Sequence, residues 1–209
     1  MDSSQRDWIA MPDLCDLSSN LAPQRSRSFF ISDSGRLEQP FRDLANTLAR
    51  LIDQATDEYR LARRSLTEFL RPTMPSASSY WHSVTHVETC ITAVHRALNM
   101  VERLRKLGYR LSDRQPLIPS PRSRFLDVTT KATRQRIREF RDSIHHIDER
   151  ILDAGPRDES SVSISFMSTK MTLKKMAITY DELSLWIREL HGIIARVNAY
   201  REPVDGNSV

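Results

Sequence analysis

The sequence predicts an all-α fold: a four-helix bundle with a small β-hairpin inserted before the last helix. Three observations predict it. Apolar residues recur at three- and four-residue steps over four separate stretches. Between the third and fourth stretches the pattern switches to alternation of apolar residues with serine. Only five glycines occur, too few to suggest an α/β enzyme built on glycine-rich phosphate loops.

Residues 1–37 carry Ser, Asp, Pro and Arg in no sustained period and read as a flexible N-terminal arm before a helical domain over 38–201 and a tail over 202–209. In the first helix Phe41, Leu44, Leu48, Leu51, Ala55, Tyr59, Ala62, Leu66 and Phe69 form one amphipathic stripe. It stops at Arg71-Pro72, because proline disfavours helix in the residue before it. Trp81, Val84, Val87, Ile91, Val94, Leu98, Val101 and Leu104 form the second stripe, ending near Gly108. Leu111 to Asp127 holds three prolines and reads as a long connection. Thr129 or Thr130 caps the third helix, which runs to "DAGP". "VSISF" and "TLKKMAIT" are expected to pair as the hairpin, where Met167, Met171 and Met176 read as packing residues. Leu183, Trp186, Leu190, Ile193, Ile194 and Val197 make the fourth stripe.

Composition bounds the functional classes. Hydrophobic residues are 39% and charged residues 28%, as in a globular domain rather than a disordered chain. No run approaches a membrane span, and the first residues lack the basic start and apolar stretch of a secretory leader. Cys15 and Cys90 form no CxxC motif and no disulfide framework, so a cytoplasmic setting is expected. Of 31 basic residues only five are Lys. An arginine-favouring genome accounts for that bias; phosphate recognition by the planar guanidinium fork is the sharper explanation.

The most informative string is "REFRDSIHHIDERI", Arg138 to Ile151. Its apolar residues Phe140, Ile144, Ile147 and Ile151, with Ile137 upstream, form a core stripe. On an ideal helix with Ile137 at zero, Arg141 falls at about 40°, His145 at 80°, Glu149 at 120°, Asp142 at 140° and His146 at 180°. All five lie on one arc beside and opposite the stripe. That arc is wet in a lone bundle and lines a cleft in a dimer that packs these helices together.

Arg141, the polar Asp142, and His146 after four intervening residues resemble the signature of HEPN domains. The resemblance covers roughly residues 38–201, with the motif on the helix preceding the last. It implies a HEPN-type helical bundle acting as a homodimer through the helix carrying Arg141 and His146. It also implies a metal-independent endoribonuclease with no cofactor, a toxin or antiviral defence effector, and an antitoxin or nucleotidyltransferase partner. One departure concerns that partner: toxins of the family often carry Tyr two positions after the His, where this chain has Asp148.

The chemistry this implies is specific. RNA supplies its own nucleophile, the 2′-hydroxyl, and needs a base for that proton and an acid for the leaving oxygen. Histidine titrates in the right range for both tasks. His146 is expected as acid/base, with Arg141 stabilising the phosphorane and Asp142 orienting it. His145, Arg138 and Glu149 are expected to contact substrate, and His145 is the alternative catalytic histidine. Two further readings stand beside this one. One is a non-catalytic HEPN-like module that binds RNA, nucleotide or a protein partner. The other is a metal-dependent helical hydrolase using His82 and His86, one turn apart with Cys90 a turn on, together with His145 or His146.

Overall fold

A computed structural model of the chain describes residues 9–18, 20–21, 39–71, 76–112, 115–118, 126–145 and 164–200. The longest apolar stripe forms the longest helix, α1 (Gln39–Phe69), which buries Phe41, Leu48, Ile52, Tyr59 and Leu66. α2 (Ala77–Lys106) lies along it and makes the most extensive helix pair of the fold, through Val87, Ile91, Val94, Leu98 and Val101. Ser76 caps α2, its hydroxyl accepting from the Ser79 amide at 3.5 Å. Gly108 ends it at φ 75°, a left-handed position that glycine occupies at no steric cost.

Beyond Gly108 the expected connection contains a short ribbon. β1 (Arg110–Ser112) and β2 (Gln115–Pro116) form an antiparallel ribbon, and Leu117 and Ile118 are buried behind it. A 3-10 turn (Asp127–Thr129) leads into α3 (Lys131–His145). Thr130 is the cap, its hydroxyl accepting from the Thr133 amide at 3.2 Å. α3 buries Ile137, Phe140 and Ile144 as the periodicity predicts. The expected continuation to "DAGP" lies outside the described residues.

The expected pairing of the two stretches is present at Ser165 and Thr172, as one ladder of a larger sheet. Lys170–Thr179 folds on itself: β4 (Lys170–Leu173) pairs with β5 (Met176–Thr179), while β3 (Ser165–Phe166) adds on the far side of β4. The result is a three-stranded antiparallel sheet in the order β3-β4-β5. Its two-residue turn puts Lys174 at φ 55°. Met171 is fully buried, whereas Met167 is exposed. α4 (Tyr180–Ala199) follows directly, opened by a capping box in which Thr179 and Glu182 satisfy each other's backbone amides.

Within the expected arm, residues 9–18 and 20–21 are described, and this segment packs against the helices. Ile9, Met11 and Leu14 are buried in the core, and the Ala10 amide donates to the Ser168 carbonyl at 2.7 Å. α1 supplies the clamps: Arg60 donates to the carbonyls of Leu14 and Leu17, Arg63 to Met11, and the Tyr59 hydroxyl to Pro12. α4 adds Arg188, which pairs with Asp16 at 2.5 Å. Buried backbone carbonyls need donors, and these cations provide them where no regular structure does. The chain is therefore mostly helical, with a small antiparallel sheet on one side and an N-terminal segment strapped across α1. Among the described residues no helix is long and apolar enough to cross a membrane.

Candidate functional site

Between α2 and α3 lies a cleft of about 500 Å³. Its α3 wall follows from spacing: Lys131, Arg134, Arg138 and Arg141 recur at steps of three, four and three, so they share one helix face. At 1.5 Å per residue the row runs about 15 Å. Its α2 wall presents His95, Asn99 and Glu102 at steps of four and three. Among the described lining residues four cations thus face one acid, and an anionic ligand is favoured.

The charges are not equally available. Arg134 pairs with Glu102 at 2.9 Å, and Glu102 also holds Arg105 at 2.6 Å. Arg138 is 64% exposed and reaches Asp142 only at 3.6 Å, so its charge remains available to a ligand. Arg136, on a different face, stacks over the Trp186 ring at 5.2 Å and pairs with Glu182 at 2.5 Å, which ties α3 to α4.

Arg141 is held on two sides. Its Nε and Nη2 both donate to Asp142 Oδ1, the Nε bond measuring 2.9 Å. Its Nη1 lies 3.0 Å from His95 Nδ1. Arginine is always a donor, so His95 Nδ1 is the acceptor and the imidazole carries its proton on Nε2. Burial holds His95 below the ordinary imidazole range, and the facing Arg141 guanidinium lowers it further. The hydrogen bonds from Arg141 hold the Asp142 carboxyl below the usual carboxylate range.

Four of the six residues expected from the sequence are therefore described. Arg141 and Asp142 touch each other, and Arg138 lies beside them in the cleft wall. His145 points toward α2 as well, with Nδ1 3.6 Å from Glu88 and Nε2 3.4 Å from Thr92 Oγ1. His146 and Glu149 lie outside the described residues. Arg141 and His145 thus meet α2 of their own chain, so the cleft beside Arg141 is walled within one molecule.

His95 is not among the residues expected from the sequence, and the structure makes it Arg141's partner. The signal was present as two polar ladders, His95-Asn99-Glu102 and Lys131-Arg134-Arg138-Arg141, each at helical spacing. The alternative metal residues diverge. His86 Nδ1 pairs with Glu58 at 2.7 Å, His82 is exposed, and Cys90 is buried with its thiol donating to the Ala55 carbonyl. Among the described residues no group of three or more His, Cys, Asp and Glu is arranged to hold a metal ion.

Comparison of the chain with protein-family models, with curated proteins and with solved structures finds no match.

Proposed function

We propose that the chain is a HEPN-type endoribonuclease whose substrate phosphate enters the basic cleft between α2 and α3. The observation that carries this reading is the Arg141 guanidinium, braced by Asp142 and His95 at the end of a row of cations. Such a group stabilises the charge that develops on a phosphorane without having to reorganise. The 2′-hydroxyl attacks phosphorus, and the bond to the 5′ oxygen breaks. The products carry a 2′,3′-cyclic phosphate and a 5′-hydroxyl. His146 moves the protons. A two-fold homodimer brings a second copy of it, so that one histidine acts as base and the other as acid. Toxin or antiviral effector activity is the role this chemistry suits.

The test is cleavage of single-stranded RNA in excess EDTA. His146→Ala and Arg141→Ala should each lose at least about 10²-fold in rate, the lower end of what a positioned acid/base contributes. His145→Ala should lose less. Inhibition by chelation, or full activity in both His146→Ala and His145→Ala, sinks the nuclease reading. Binding without cleavage is the second reading. It is favoured by the pairing of Arg134 and Arg105 with Glu102, which commits part of the local charge to the fold.

A further inference from the structure

We infer that His95 is a positioning residue, holding Arg141 so that its remaining N–H groups face a phosphodiester lodged against Lys131 and Arg138. This rests on reading the cleft as the RNA phosphate site.

The argument begins with a count of donors. Guanidinium has five N–H groups. Asp142 takes one from Nε and one from Nη2, and His95 takes one from Nη1. Among the described residues nothing takes the remaining N–H on each terminal nitrogen, a pair suited to two phosphate oxygens. Asp142 alone leaves the guanidinium free to swing, since both belong to the same helix and sit in adjacent positions. His95 comes from α2 and fixes the group across the cleft. A side chain already ordered on both sides loses little rotamer freedom when it binds.

The same geometry excludes a direct proton-transfer role at Nδ1. That lone pair already accepts from Arg141, so it cannot take the proton of a 2′-hydroxyl. Through Nδ1, His95 therefore acts on Arg141. An acceptor at this position is what matters, and an asparagine amide oxygen can replace Nδ1, whereas leucine cannot.

Three measurements on the full-length chain decide the matter. Nitrogen NMR of the His95 ring should find the proton on Nε2. Single-turnover RNA cleavage by His95→Leu should fall by about 10- to 100-fold, the effect of a misplaced group near the reacting atoms, while His95→Asn recovers most of the loss. Titration with inorganic phosphate, followed through Arg side-chain resonances, should weaken in His95→Leu and be kept in His95→Asn. A proton on Nδ1, wild-type behaviour in His95→Leu, or equal damage in both variants overturns the inference. RNA left uncut by the wild-type chain refutes the nuclease reading alone. The ring proton and the phosphate titration then still decide the role of His95, and absence of phosphate binding counts against it.

Discussion

Arg141 Nη1 and His95 Nδ1 meet at 3.0 Å across the gap between α2 and α3, although 46 residues separate them in the chain. The contact converts an arginine on a polar helix face into a group of defined direction. It also fixes the protonation of the histidine, because only a neutral imidazole can accept there.

RNA affinity should fall steeply with salt. Lys131→Ala and Arg138→Ala should each lower the slope of log affinity against log salt by about 0.7, the single-strand value for one phosphate contact. Binding isotherms between roughly 50 and 200 mM salt measure it. Slopes unchanged from wild type would remove both residues from the phosphate path.

Stability should decline on the acid side of neutrality. His95 and His191 are both held below the ordinary imidazole range, chiefly by burial. Arg141, Arg138 and Arg134 face His95 and reinforce its shift, while Asp142 opposes it. Arg60 and Arg188 reinforce that of His191, against Asp53 and Asp16. Each gains a proton in the unfolded chain near pH 6.5, by roughly the peptide value, before it does so in the folded one. The unfolded state then binds more protons, so stability rises with pH. It is complete above that value and is lost as pH falls toward the folded pKa values. Glu189, raised by burial, works the other way at lower pH. Urea midpoints between about pH 7.5 and 5.5 should therefore fall with pH, and less so in His191→Gln. A midpoint that rises on acidification refutes the account.

Replacing Lys174 by glycine should stabilise the sheet. Lys174 sits at φ 55°, where a side chain costs roughly 1 kcal/mol that glycine avoids. Lys174 is exposed, so little contact is lost in exchange. Thermal unfolding should shift upward; an unchanged or lower midpoint would contradict the turn geometry.

Removing the Arg60 side chain should release the N-terminal strap. Two carbonyl acceptors, those of Leu14 and Leu17, lose a charged donor. The cost should be about 1–3 kcal/mol. The Ala10 amide, bonded to Ser168, should then exchange faster with solvent than in the wild-type chain. Unaltered exchange would mean that the buried side chains of Ile9, Met11 and Leu14 hold the strap alone.

What was legible in the sequence divides along physical lines. The stripes of Phe41 to Leu66 and Val87 to Leu104 are local periodicities, and they appear as α1 and α2. The stop at Gly108 and the cap at Thr130 are local chemistry as well. The strap was illegible because its acceptors are backbone carbonyls, which leave no residue pattern. The three-stranded order was missed because two strands of four residues fit between Lys170 and Thr179 once Lys174 accepts a left-handed turn. At the site, Arg141 and Asp142 were legible from one helix face, whereas His95 required knowing which face of α2 meets α3.

The bracing of α3 by α4 has an optical consequence. The Asp127 and Val128 amides donate to Glu189, and the indole of Trp186 donates to Asp127 Oδ2 at 3.1 Å. The same ring lies under Arg136, one helical step from the Lys131–Arg141 row. Trp186 is wholly buried, whereas Trp81 is 62% exposed. Any displacement of α3 would alter the hydrogen bond and the cation at this shielded indole. Trp186 emission would be a label-free gauge of that displacement once the contributions of Trp8 and the exposed Trp81 are removed by substitution.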